Sequence, residues 1–175
     1  MTNASTKKIV LNGLMIAVVF LTTYFTRFPG PIPPGYINLG DAAILSAALL
    51  LGRKTGFIAG AVGSALADLA AGAFLFIPVT FIVKGIEGYV TGFIGDKDAG
   101  SLGSQATRIM AVVAGVIIMV AGYFAAEAFL LGAFDSGFGW TAAWAELPLN
   151  LVQGGASAVA GYALTALLSK KVLVK

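Results

Sequence analysis

The chain has 175 residues, 58% of them hydrophobic and only 11% charged, with a formal net charge of +3. So apolar a composition excludes a disordered tail and an ordinary soluble domain, and several runs approach the ~20 residues that cross a bilayer core. Cysteine and histidine are absent, which excludes disulfides, thiol chemistry, Ser–His catalysis and histidine metal ligation.

Six apolar runs read as the helices of one all-α membrane domain over residues 1–175: Ile9–Phe28, Gly40–Leu51, Thr55–Gly72, Pro78–Gly95, Ala106–Leu131 and Pro148–Leu168. No cleavable signal peptide is expected, because the first run is too long and no small-residue cleavage site follows it. Gly13 and Ala17 on the first helix form a small-xxx-small pair, a surface that packs closely inside the bundle or against another protein. Phe28–Leu39 reads FPGPIPPGYINL and holds four of the six prolines. It cannot be helical, and it serves either as a plain connector or as a lid. The second helix is too short to span alone, so it begins within Tyr36–Leu39 or leans on its neighbours.

The third and fourth helices carry smooth ridges, Gly56, Gly60, Gly63 and Ala67 on one, Gly85, Gly88, Gly92 and Gly95 on the other, which suit close interior packing. Pro78 and Pro148 each stand just inside a predicted helix start on the outer side, with the positive dipole end toward an outward cavity. The inner loop Asp96–Gln105 is solvated. The outer loop Gly132–Trp144 carries Trp140 and Trp144 as interfacial anchors, and Trp144 is also placed to cap a pocket.

With a cytoplasmic N-terminus, Lys7, Lys8, Arg53, Lys54, Lys97, Arg108, Lys170, Lys171 and Lys175 all fall inside and Arg27 alone outside. That is a strong positive-inside bias, so the basic excess is topological and implies no nucleic-acid partner.

Lys84 and Glu87 lie in the middle of an apolar helix, where a lone charge costs about 2.5–3.5 kcal/mol. They either staple that helix as a pair or mark a polar pocket. Thr80, Lys84, Glu87 and Thr91 share one face, and Glu146, Asn150, Gln153 and Ser157 repeat the spacing at the start of the sixth helix, Glu146 just ahead of it. Ser64 and Asp68 on the third helix and Tyr123 and Glu127 on the fifth come to the same outer depth. Polar glue explains any one of these residues. Convergence at one level favours a pocket with both charge signs, carboxamides, and rings from Tyr36, Phe74, Phe76, Tyr89, Tyr123 and Trp144. Such a mixture suits a small uncharged or zwitterionic heteroaromatic. Gly52-Arg-Lys-Thr55 resembles the tail of a phosphate loop, but Ala47 stands where the leading glycine belongs, so no ATPase site is expected.

Taken in order, the Gly13/Ala17 pair, the proline-rich first loop, Gly35-Tyr-Ile-Asn-Leu-Gly-Asp41, Leu49-Leu-Leu-Gly52, Gly63-Ser-Ala-Leu-Ala-Asp68 and Lys84-Gly-Ile-Glu-Gly88 resemble the substrate-binding S components of energy-coupling factor (ECF) vitamin transporters. The resemblance spans essentially the whole chain and is nearest to the members assigned to hydroxymethylpyrimidine, the thiamine precursor, or to pyridoxine. It implies a multi-pass protein of the bacterial plasma membrane with both termini cytoplasmic, binding one vitamin in an outward pocket roofed by the first loop. It also implies a transmembrane coupling protein (T component) and two ATPase subunits as partners. ATP is used by those subunits, and no cofactor is bound by this chain. Tyr36 and Asn38 would belong to the lid, and Lys84, Glu87, Asn150 and Gln153 would line the pocket with Trp144. Asp68 and Glu127 either join them or tie helices together. Gly13 and Ala17, in place of the family's Ala-x-x-x-Ala, would meet the coupling protein. None of these residues is catalytic. Pantothenate, thiamine or riboflavin are alternative ligands. Alternative functions are a proton-gradient transporter using Asp68, Glu127 or Glu87 as a relay, and an assembly protein whose polar residues only fasten helices.

Overall fold

A backbone in lipid must satisfy its own polar groups, which a helix does within one segment. The computed structural model describes residues 3–31, 35–95 and 104–172. Its elements are α1 (Asn3–Phe25), a short ribbon of β1 (Phe28–Pro29) and β2 (Tyr36–Ile37), α2 (Gly40–Leu51), α3 (Arg53–Ile58), a π turn (Ala59–Gly63), α4 (Ser64–Ala71) and α5 (Ile77–Gly95). There follow α6 (Gln105–Ala125), a second π turn (Ala126–Leu130), a 3-10 turn (Leu131–Ala133) and α7 (Trp140–Val172). Four stretches are long and apolar enough to cross a membrane: Thr6–Phe25, Ile77–Gly95, Gln105–Ala133 and Trp140–Ser169. α2 is shorter, and its first ten residues, Gly40 to Leu49, are buried. It sits among α1, α5 and α7, which is how a helix too short to span is accommodated.

The surface is inverted relative to a water-soluble protein. Phe25, Phe129, Phe134 and Val159 are exposed while Lys84, Glu87 and Asp41 are at most 2% exposed. Apolar side chains outside and charges inside are the distribution a lipid solvent selects.

Small residues set the helix spacing at the centre. A methyl on Gly60 would overlap the Lys84 carbonyl, and one on Gly88 the Gly56 carbonyl, so the third and fourth predicted helices meet backbone to backbone. At the C-terminal end of the 53–71 rod, Gly72 takes a left-handed φ of 76°. The Ala73 amide bonds the Asp68 carbonyl at 2.9 Å and the Gly72 amide that of Leu69 at 3.3 Å. This closing motif stops the helix one turn beyond Asp68.

Three expectations need correction. The last helix begins at Trp140, so Pro148 is interior to α7 rather than in its first turn, and Glu146 is helical rather than ahead of the helix. The run from Trp140 to Glu146 propagates helix through the proline, whose missing amide leaves the Trp144 carbonyl without its usual partner. Pro78, by contrast, is the second residue of α5, and the dipole argument fails for Pro148. The first loop is in part a β-ribbon, pairing Phe28 with Ile37 and Pro29 with Tyr36. Pro33, Pro34, Lys97, Lys175 and most of the expected inner loop lie outside the described residues.

Candidate functional site

Fully buried charge in this chain is organised around one ammonium. Lys84 Nζ donates to Asp41 Oδ1 and lies 3.4 Å from Glu87 Oε2. Behind it, Gln153 Nε2 donates to Asp41 Oδ2 at 2.7 Å, while Gln153 Oε1 accepts from the Asn38 amide at 2.8 Å. Asn38 in turn accepts from the Gly40 amide through Oδ1 at 2.8 Å. An unbroken chain of hydrogen bonds and ion pairs thus runs from Glu87 in α5, through α2 and α7, to the backbone of the segment that follows β2. Lys84 Nζ also stands 5.3 Å from the centre of the Tyr123 ring, within cation–π range.

Above Lys84 lies a cavity of about 30 Å³ lined by residues of α1, the ribbon, α4, α5, α6 with its π turn, and α7, among them Thr23, Tyr36, Ser64, Asp68, Glu127 and Asn150. A cavity of that size takes one or two waters, whereas one that binds a benzene ring is on the order of 150 Å³. Its roof is Tyr36, whose hydroxyl donates to Asp68 Oδ1. Burial, and next the Asp68 charge, push the Tyr36 phenol above its ordinary value, so it stays a donor. Arg27 stacks on Tyr24 at 4.1 Å and reaches the Tyr36 ring at 5.5 Å. On the far side of Tyr36 and Gly35 is an open hollow of about 400 Å³ lined also by Tyr24, Arg27, Pro29 and Gly30. Tyr36 is therefore the partition between an open vestibule and a nearly closed chamber.

Of the nine residues singled out as ligand-binding, Tyr36, Asn38, Asp68, Lys84, Glu127, Asn150 and Gln153 all border the chamber. Glu87 stands behind Lys84 and does not border it. Trp144 is placed elsewhere: it is 60% exposed and packs edge-on against Phe124 at 5.1 Å on the outer surface. Position 144 precedes Gln153 by nine residues, which is two and a half helical turns, so once α7 extends back to Trp140 the two point to opposite sides. Tyr89 and Phe74 are likewise exposed.

Asp41 is the residue that sequence reasoning passed over. It sits at the second position of a helix that is otherwise apolar, and an acid there is as expensive as Lys84. Thr23, Ser64, Thr80, Tyr123 and Glu146 also border the chamber. Glu127 lies in the π turn, which places an inward acid next to a lipid-facing Phe129. Four chamber atoms, Thr23 Oγ1, Ser64 Oγ, Asp68 Oδ2 and Glu127 Oε2, have no hydrogen-bond partner among the described residues. The Thr80 hydroxyl beside Asp68 is engaged with Tyr123 Oη at 2.9 Å. The chamber has the makings of a binding site: fixed charges, unmet hydrogen-bonding groups and a wall, Tyr36, shared with the vestibule.

Residues 3–170 match the family model described as the ECF-type riboflavin transporter, S component. An uncharacterized protein of Pyrococcus woesei is 34% identical over 156 residues, 88% of this chain and 96% of its own length. The thiamine precursor transporter HmpT of Lactococcus lactis subsp. cremoris is 29% identical over 170 residues, 97% of this chain and 89% of that protein. The solved S component of a bacterial ECF transporter superposes with a TM-score of 0.72 at 19% identity, covering 96% of this chain and 98% of that one, a likeness of fold.

Proposed function

Because the chain belongs to the family of ECF-type transporter S components, we propose that it is the vitamin-binding subunit of an ATP-driven importer, taking a single-ring nitrogen heterocycle of the hydroxymethylpyrimidine or pyridoxine kind. The observation that carries this reading is the chamber under Tyr36, where costly polar groups from six parts of the chain meet. Four of its polar atoms have no partner among the described residues, which is where a ligand's groups would be met. For ligand entry Tyr36 would release Asp68 and the ribbon would lift, joining vestibule and chamber into one space. Closure restores the Asn38–Gln153 bond, so the lid reports through Asp41 to Lys84. The relative named for thiamine-precursor transport supports the hydroxymethylpyrimidine reading.

The partners follow from the family. S components are transport subunits, and here the energy would come from two ATPases through a T component. The open face of α1 fits the T component: Val10, Gly13, Leu14, Ala17 and Leu21 are all exposed along one side, and a methyl on Gly13 would meet nothing within 4 Å. Both termini would then be cytoplasmic, with the vestibule outside.

Mass spectrometry of small molecules retained by gently purified protein tests the assignment. A pyrimidine or pyridine alcohol is expected. A second reading, riboflavin, is favoured by the description of the family model, and recovery of a flavin would establish it in place of the first. Uptake in cells whose proton gradient is collapsed while ATP is maintained separates the importer from a gradient-driven transporter; loss of uptake would refute ATP coupling.

A further inference from the structure

We infer that Arg53 and Arg108, at the end of the bundle opposite the vestibule, each hold the phosphate of an anionic phospholipid. The inference does not depend on which vitamin the chamber takes. α1, α3 and α6 begin at that end and α5 finishes there. Among the described residues it carries Lys7, Lys8, Arg53, Lys54 and Arg108 and no acid. None of these five bases is paired with a carboxylate, the ion pairs on Asp41 and Glu87 both being made by Lys84. Tyr89 and Phe93 fall in the last two turns of the span Ile77–Gly95, and Arg108 in the first turn of the span Gln105–Ala133. Span ends are the level of the lipid headgroups.

Charge that only fixes topology needs nothing beneath it. Lys7, Lys8 and Lys54 fit that description, being exposed and without a ring contact among the described residues. The two arginines are built differently, because each is backed by rings. Arg53 Cζ stands 5.5 Å from the centre of the Phe93 ring and 5.8 Å from that of Tyr89, and those rings lie parallel, 6.4 Å apart. Its backbone is wedged against α5, where a methyl on Gly92 would meet the Arg53 Cα at 2.4 Å. Arg108 Cζ stands 5.7 Å from the Tyr162 ring on α7, and its Nε is buried with no hydrogen-bond partner among the described residues. A ring under a guanidinium occupies its flat face and leaves the N–H groups free in the plane. That free edge matches two phosphate oxygens at once, which a lysine cannot reproduce. Exposed apolar side chains flank both positions, Ile82 and Ile86 along α5 and Ile109, Met110 and Val113 along α6, and these suit acyl chains. Basic pockets among membrane helices take anionic headgroups in this way. A choline headgroup carries its own cation beside the phosphate and gains less.

The test is native mass spectrometry of the full chain in detergent, titrated with phosphatidylglycerol or with phosphatidylcholine of the same acyl chains. Two phosphatidylglycerol molecules should be retained, and phosphatidylcholine should bind roughly 10- to 100-fold more weakly, as expected when charge-assisted hydrogen bonds are offset. Arg53→Gln and Arg108→Gln should each lose one lipid, and the double variant both. Lys54→Gln removes the same charge beside Arg53 and should keep both. Arg53→Lys and Arg108→Lys retain the charge without the fork and should weaken their own site only. Helical circular dichroism equal to the native chain's shows that a variant has kept its fold, and the lysine variants carry the test where a glutamine variant has not. Equal retention of phosphatidylcholine would overturn the inference. So would a loss from Lys54→Gln that matches Arg53→Gln, or lysine variants that bind as well as the native chain, since either would mean diffuse charge. Variants that hold both lipids yet no longer assemble with a T component would give this surface to a protein and overturn it too.

Discussion

Removing the Lys84 ammonium should invert the effect of a second substitution, and the sign of that inversion follows from the buried charges. In the native chain one cation faces two carboxylates, Asp41 and Glu87, all at most 2% exposed. Asp41→Asn deletes a charged hydrogen bond to Lys84 but leaves the Lys84–Glu87 pair and an acceptor for Gln153, a loss of about 1.5–3 kcal/mol. Lys84→Met leaves two acids buried without their cation, and breaking a buried pair in this way costs about 3–5 kcal/mol. In that background Asp41→Asn removes one of two mutually repelling carboxylates and should restore about 1–3 kcal/mol. The same substitution therefore destabilises the native chain and stabilises the Lys84→Met chain. Unfolding of all four proteins in one detergent, by denaturant titration, completes the double-mutant cycle. Asp41→Asn shifting stability by a similar amount in the same direction in both backgrounds would show that these groups do not share one electrostatic cluster.

Alkaline stability should depend on Tyr36. Its phenol is raised by burial and by Asp68, so above the unfolded value of about 10 the unfolded chain releases a proton that the native one keeps, and stability falls by up to about 1.4 kcal/mol per pH unit. Tyr36→Phe should flatten that slope by one proton's worth between roughly pH 9 and 11, and equal slopes would place the phenol in water. Gly30→Ala should lift the ribbon, since its methyl would stand 2.8 Å from Glu146 Oε1 and 3.1 Å from the Gly35 carbonyl. Overpacking of about 1–3 kcal/mol corresponds to roughly 5- to 150-fold faster ligand release in stopped-flow measurements, and an unchanged rate would deny the ribbon its role as a lid. Trp144→Leu should leave ligand affinity within about twofold, as for a surface change far from a site. A tenfold loss would put that ring back over the chamber.

Helix existence was legible because the apolar runs are long and punctuated. Gly52, with φ 89°, and Gly72, with φ 76°, turn the chain where a glycine was available to do so, and α2 occupies Gly40–Leu51 as read. The error at Pro148 came from treating a proline as a start signal. In α7 a tolerable loss of one backbone bond is outweighed by eight further residues of helix. That shift of the start also moved Trp144 off the site, because a ring in a loop is free to fold over a pocket and a ring at a fixed helical angle is not.

The lining of the chamber was legible wherever a costly side chain stood alone in an apolar run, which is why Lys84, Asp68, Glu127, Asn150 and Gln153 could be picked out. Asp41 escaped because it adjoins a loop, and an acid at a helix start has an ordinary explanation in the dipole. The π turns were beyond sequence reasoning for a different cause. A π turn adds one residue to a helical turn and changes which residues beyond it face inward. Ala59–Gly63 does this just before Ser64 and Asp68, and Ala126–Leu130 does it at Glu127. An ordinary helical period already puts Glu127, four residues after Tyr123, on the chamber side with it, and the π turn changes the facing of the residues beyond. With the π turn, Glu127 is 3% exposed while Phe129 and Leu130 are 69% and 50% exposed.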